Sequence, residues 1–183
     1  MKVICISGNA QNGKDTTAEI MCEELEALGY SVVIAHYADL LKHICRAFFG
    51  WNGEKDEAGR QILQYVGTDV VRKQRPNFWV DFIVSVLDLF KGEWDYVLIP
   101  DCRFPNEIEA MQNDGFDTTS LRVVRLNFES PLTETQQQHP SEIALDDYVF
   151  DHTIYNDGTL DDLRRKILKW IGEQRDEKID YPH

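Results

Sequence analysis

The fold that the sequence predicts is a three-layer α/β sandwich, with a parallel sheet of about five strands between two layers of helices. Two observations predict it. Short, continuous apolar runs alternate with longer segments whose apolar residues recur at helical spacing. Such runs suit strands covered on both faces, and the alternation implies right-handed crossovers. In addition, a glycine-rich turn joins the first run to the first helical segment. In an open parallel sheet that turn lies at the carboxyl strand ends, where ligands bind.

Each element follows in order. Val3–Ile6 is the first strand and ends at Ser7-Gly8. From Lys14, the residues Ala18, Met21, Cys22, Leu25 and Leu28 make a helical stripe, and Gly29 stands at its C-cap. Val32–Ala35 is a second strand, and Leu40, Leu41, Ile44, Ala47 and Phe48 line a helix before Gly50. Residues 50–57 read as a loop. Ile62, Val66 and Val70 form a helical stripe interrupted by Gly67, and Pro76 breaks it. Trp79, Phe82, Ile83, Val86, Leu87 and Phe90 make another helix. Tyr96–Ile99 is a third strand closed by Pro100-Asp101, and Pro105 starts a helix that carries Ile108 and Met111 and stops at Gly115. Leu121–Leu126 is a fourth strand, the polar residues 127–147 a mobile loop, and Phe150–Tyr155 a fifth strand. Thr159-x-x-Asp162 resembles a capping box opening a last helix through Leu160, Leu163, Ile167, Trp170 and Ile171. The charged tail, about 174–183, is expected to fray.

Composition narrows the function. The chain has 183 residues, enough for a single domain, 43% of them hydrophobic and 28% charged, so a core forms and global disorder is excluded. The net charge of −13 argues against binding a nucleic-acid polymer. A small anion is still allowed, because a local nest of amides outweighs the global field. No apolar run approaches the roughly 18 residues of a membrane span, and the opening MKVICIS is too short for a signal sequence. Cys5, Cys22, Cys45 and Cys102 form no Cys-x-x-Cys pair, which disfavours zinc and suits free thiols in a reducing cytoplasm. A soluble cytoplasmic protein that touches no membrane is the expectation.

Gly8-Asn-Ala-Gln-Asn12-Gly13-Lys14-Asp15 matches G-x-x-x-x-G-K. Glycines let the backbone wrap a polyphosphate so that successive amides point inward, and the following helix adds the positive end of its dipole. Lys14 would lie across the β- and γ-phosphates. Placed between strand and helix, this is a phosphate-binding loop, and the sandwich becomes one of the P-loop NTPase type. Asp15 stands where Ser or Thr normally meets Mg²⁺, with Thr16 and Thr17 following. Either Asp15 or Thr16 is the candidate metal residue. Asp101, at the tip of an apolar strand, is the second acid positioned for Mg²⁺ or its waters, and Arg103 could take a phosphate bidentately.

With these residues in hand, the chain resembles the phage and bacterial deoxynucleoside monophosphate kinases, P-loop enzymes of the nucleoside-monophosphate-kinase type. The resemblance runs in order through SGNAQNGKDTTA, YADLLK, GRQILQYVGTDVVR, NFWVDF, YVLIPDCRFPNEIEAM, LRVVRL, HPSE and IYNDGTLDDL. It implies transfer of the ATP γ-phosphoryl group to a nucleoside monophosphate with Mg²⁺, in one domain. That domain would carry an acceptor-binding helical insert at about 38–92 and a lid at about 127–147. Carried over by position, Gly8, Asn12, Gly13, Lys14, Asp15, Thr16 and Thr17 are the ATP phosphate and metal site, and Asn156, Asp157 and Gly158 border the adenine. Lys14, Asp101, Arg103 and Arg125 act on the transferring group. Lys42 and Arg60 hold the acceptor phosphate, and Asp69, Arg72 and Trp79 line its base pocket. Asp39, Glu107, His139 and Glu142 complete the acceptor side. Relatives also suggest a homodimer. Two other functions fit the motifs. One is a kinase for another small acceptor, of the dephospho-coenzyme A or phosphomevalonate type; the other is a nucleotide-binding module without transfer. The absence of Asn-Lys-x-Asp argues against a GTPase.

Overall fold

The computed structural model describes residues 1–54 and 56–179. Strands β1 (Lys2–Ser7), β2 (Val32–Ile34), β3 (Tyr96–Cys102), β4 (Asp117–Val124) and β5 (His152–Tyr155) form one parallel sheet. Their order is β2-β3-β1-β4-β5. β1 is central and every residue in it is buried, as its unbroken apolar run requires. Its side chains alternate between the two faces. Ile4 and Ile6 pack against Ala18, Met21 and Leu25 of α1 (Lys14–Ala27) and Leu163 and Ile167 of α8 (Leu160–Ile179). Val3 and Cys5 pack on the other side against Val80, Ile83 and Leu87 of α4 (Phe78–Leu89) and Ile108 and Met111 of α5 (Pro105–Asn113).

A third, smaller core joins α2 (Ala38–Phe48) and α3 (Glu57–Gln64) around Cys45, Trp51 and Val66. The stripe Ile62, Val66, Val70 winds differently from the expected α-helix, because the chain is π-helical over Tyr65–Arg72. A spacing of four suits the wider π turn, whose bonds reach five residues, as well as it suits an α turn. Gly67 makes room for it: a Cβ there would stand 2.6 Å from Leu41 Cδ2.

The third strand continues through Pro100 and Asp101 instead of closing before them. The β1–β3 register shifts between Cys5, opposite Ile99, and Ser7, opposite Cys102. Pro100 has no N–H to give the ladder, so it sits in the resulting bulge, and the bulge re-aims Asp101. Residues 127–147 are not a structureless loop. They hold α6 (Glu134–Gln137), capped by Thr133, and α7 (Pro140–Ile143), capped by His139. The Thr159–Asp162 box is present, Asp162 accepting from Thr159 N at 2.8 Å and returning its own N–H to Thr159 Oγ1 at 3.2 Å. The described part of the expected frayed tail continues α8 to Ile179; the remainder lies outside the described residues. All four cysteines are free, three buried and Cys22 half-buried. No described helix is long and apolar enough to cross a membrane.

Candidate active site

After β1 the backbone turns through Gly8 (φ 149°), Gln11 (φ 60°) and Gly13 (φ 96°) into α1. A Cβ at Gly8 would stand 2.3 Å from the Val123 carbonyl, and one at Gly13 2.6 Å from Asn156 Nδ2. Both positions therefore need glycine for conformation and for space. Gly13 caps α1 without a side chain, which leaves first-turn amides for an anion. The turn is braced from outside: Asn12 Nδ2 donates to the Val123 carbonyl at 3.3 Å and Asn156 Nδ2 to the Asn12 carbonyl at 3.0 Å.

Lys14 is 9% exposed and folds back on this loop, donating to the carbonyls of Gly8 (2.8 Å) and Asn9 (3.0 Å). Burial, and then the Arg103 charge, push its ammonium down to about 8, while Glu142, Asp15 and Asp101 act in the opposite sense. Four other predicted side chains thus lie within electrostatic reach of Lys14. Arg103 Nη1 donates to the Ser141 carbonyl at 3.0 Å and pairs with the Glu142 carboxylate. A cleft at the strand ends is lined by Gly8, Asn9, Arg103, Arg122, Ser141 and Glu142, among others. Segment 139–142 therefore sits against the phosphate loop.

Asp101 is not an idle carboxylate. Its two oxygens accept from Tyr37 N and Ala38 N, each at 3.0 Å, and so fix the start of α2. Asp15 is exposed on the rim of the cradle, 3.7 Å from His36 Nε2, and His36 Nδ1 lies 3.5 Å from Asp39. The neighbouring Asp15 carboxylate raises the His36 pKa above its ordinary value, against burial and with help from Asp101 and Asp39. Asp15 and Asp101 therefore act on the same two groups, Lys14 and His36. Among the described residues no group of three or more His, Cys, Asp or Glu side chains is placed to hold a metal ion. Mg²⁺ does not need one, because it takes one or two carboxylates and otherwise waters and substrate phosphates, so this donor set fits it. Thr16 is half-buried, and the Thr17 hydroxyl is enclosed without a hydrogen-bond partner.

The remaining expected residues divide. Lys42 pairs with Asp39 at 2.8 Å. Arg60 has no side-chain ion pair or hydrogen bond among the described residues, and Asp69 is exposed on the π-helical segment. Arg72 and Glu107 are committed to each other at 2.5 Å, and the Arg72 guanidinium lies 3.9 Å from the Phe104 ring centroid. Trp79 is 3% exposed and donates to the Gly67 carbonyl at 3.0 Å, which makes it packing rather than an open stacking face. His139 Nδ1 is 2.9 Å from Ser141 Oγ, and its Nε2 is buried without a partner. Asp157 pairs with Lys166, and Gly158 abuts Asp162. Arg125 follows β4, is exposed, and lies over Phe128.

Two residues were missed by sequence reasoning. Arg122 is paired in register with Ser7 and lines the cleft, held by the Leu145 carbonyl at 2.9 Å and by Asp146 at 3.2 Å. The β1–β4 register decides this, and no local pattern encodes it. His36 is a lone histidine after a strand, without any motif.

The family model for deoxynucleotide monophosphate kinase matches residues 36–167. The chain belongs to that family. The match begins after the phosphate loop, so the Gly8–Lys14 motif is not part of it. Deoxynucleotide monophosphate kinase of Enterobacteria phage T4 is 33% identical over 118 residues, 63% of this chain and 46% of that protein. Uncharacterized protein ORF77 of Ictalurid herpesvirus 1 (strain Auburn) is 32% identical over 158 residues, 86% of this chain and 64% of that protein. The chain thus spans between about half and two thirds of these relatives' lengths. Among solved structures, the Mycobacterium tuberculosis APS kinase CysC in complex with AMPPNP and APS superposes with a TM-score of 0.55 at 13% identity, over 93% of this chain and 97% of that one. That likeness shows the fold of this family member.

Proposed function

We propose that the chain is an ATP-dependent kinase that passes the γ-phosphoryl group to a (deoxy)nucleoside monophosphate. The observation that carries this reading is the meeting of the Gly8–Lys14 cradle, Arg103 and segment 139–142 in one cleft at the strand ends. Membership of the deoxynucleotide monophosphate kinase family supports the acceptor class.

The chemistry is a direct in-line displacement. An oxygen of the acceptor phosphate forms the new P–O bond, the bond from the γ-phosphorus to the bridging oxygen breaks, and ADP leaves. The acceptor oxygen is already a competent nucleophile, so no covalent enzyme intermediate is needed, and the protein supplies position and charge. The amides of the turn hold the β- and γ-phosphates. Lys14 swings from the Gly8 and Asn9 carbonyls onto them. Arg103 exchanges Glu142 for the transferring group, and Arg60, the cation of α3, takes the acceptor phosphate. Asp15 and Asp101 would hold Mg²⁺, which supplies further charge neutralisation when bound. Segment 127–147 acts as the lid and excludes water, because water in the cleft would turn transfer into hydrolysis.

The test is ADP release across a panel of deoxynucleoside and nucleoside monophosphates, with dephospho-coenzyme A and phosphomevalonate alongside. Turnover is expected with at least one nucleotide, and Lys14→Ala is expected to lower it by about a hundredfold or more. Inactivity on every nucleotide refutes the reading.

A further inference from the structure

Glu107 is 2% exposed. At the third position of α5 it resembles an ordinary capping residue, accepting from Phe104 N at 3.0 Å. A cap of that kind works as well in solvent. Here the same oxygen, Oε2, also accepts from Arg103 N at 2.6 Å, while Oε1 takes Arg72 Nη2 at 2.5 Å. Its own carbonyl accepts from the Tyr37 hydroxyl at 2.6 Å. Burial pushes the Glu107 carboxyl up, and Arg72 and the two amides pull it back. Desolvating a carboxylate is costly unless its lone pairs are filled. They are filled here by the turn that carries Arg103, by the π-helical segment through Arg72, and by no solvent.

We infer that Glu107 is a positioning residue: its carboxylate pins the backbone amides of Arg103 and Phe104, between β3 and α5, so that the Arg103 side chain enters the phosphate cleft. The inference rests on the kinase reading above for what Arg103 does there. The geometry makes Arg103 the sensitive group, since its guanidinium leaves the same residue whose N–H Glu107 holds. A displacement of about 1 Å at such a group can cost on the order of a hundredfold in rate.

The test is a double-mutant cycle on the full chain, with Glu107→Asp, Arg103→Ala and the pair. Glu107→Asp keeps the charge opposite Arg72, so folding is retained, but it withdraws the carboxylate from both amides by one methylene. Binding of AMPPNP and of ADP is measured by calorimetry. Turnover is measured with the monophosphate that the panel identifies, and melting temperature alongside. Glu107→Asp is expected to weaken AMPPNP binding and lower kcat by about 10- to 100-fold while ADP binding changes by less than about twofold. It is expected to add nothing further in the Arg103→Ala background. Ile108→Ala, a fully buried neighbour on the same helix, is the control: it lowers the melting temperature with kcat within about twofold of wild type. Equal losses for AMPPNP and ADP, losses that multiply in the Arg103→Ala background, or no loss at all would each overturn the role of Glu107. A binding cycle that closes as expected, with no monophosphate phosphorylated, overturns the kinase reading instead and leaves Glu107 as the residue that positions Arg103.

Discussion

The charge of Lys14 gives the cradle a pH dependence of its own. Burial and the neighbouring Arg103 hold its ammonium down to about 8 in the free protein. It is then roughly 90% charged at about pH 7 and roughly 10% charged at about pH 9. A polyphosphate tail binds the charged form, so the affinity for AMPPNP is expected to fall roughly tenfold over that interval, about 1.4 kcal/mol. Binding restores the proton, and about half a proton is taken up per ligand near pH 8. The same shift has a stability side with a definite sign. The folded pKa lies below the unfolded value of 10.5, so between about 8 and about 10.5 the unfolded chain holds more protons and this group's contribution to stability rises with pH. Over the whole window the rise is about 3 kcal/mol, and it measures what the empty cradle loses by keeping a buried ammonium. The assay is calorimetry of AMPPNP from about pH 7 to about pH 9 in two buffers of different ionisation enthalpy, on wild type and Lys14→Arg. The guanidinium stays charged throughout, so the variant's affinity is expected to be flat. A flat wild-type profile, or the same slope in Lys14→Arg, would refute the assignment of Lys14 to the phosphates.

Three further outcomes follow from the geometry. Gly13→Ala places a Cβ at φ 96° and 2.6 Å from Asn156 Nδ2; it should lower the melting temperature by about 2–8 °C and weaken AMPPNP binding more than about tenfold, as melts and calorimetry will read. Glu142→Gln removes the ionic partner of Arg103 and should tighten AMPPNP binding by about three- to tenfold; unchanged or weaker binding would show that the pair does not compete with phosphate. Arg60→Ala should raise the acceptor KM by about 10- to 100-fold with the ATP KM within about twofold, and steady-state kinetics with each substrate varied in turn will decide it.

The fold was legible in the sequence because its signals are local. Val3–Ile6 announces a strand buried on both faces, and Gly8–Lys14 announces the turn, since each needs only neighbours along the chain. The phosphate loop was legible for the same reason: Gly8 and Gly13 adopt positive φ and tolerate no Cβ. What stayed hidden depends on pairing at a distance. The π-helical turn of Tyr65–Arg72 is invisible because a four-residue spacing fits both helix types. Arg122 and Arg125 are equivalent on paper, and only the register that sets Ser7 beside Arg122 brings the first into the cleft. Arg72 and Glu107, 35 residues apart, form a buried pair that no spacing in the sequence announces.

On the proposed reading, these pairings let a chain of net charge −13 take up a triphosphate by exchange. In the free protein nearly every charge at the cleft already has a protein partner. Lys14 rests on two carbonyls, Arg103 on Glu142, Arg122 on Asp146, and Asp101 on two amides. A cleft of unpaired cations would bind any anion and would be costly to fold, because like charges would face one another in a half-buried space. Exchange removes that cost. On that reading an arriving phosphate gains Lys14 and Arg103 only by displacing the partners they already hold, so affinity is the difference between two sets of contacts. Asp101 and Glu107 are the exceptions, because their partners are backbone amides and a buried guanidinium that do not move with the ligand. On the proposed reading they are the fixed frame, and Lys14, Arg103 and Glu142 are the parts that exchange. That division predicts which substitutions alter ligand affinity through competition and which act only by moving the frame.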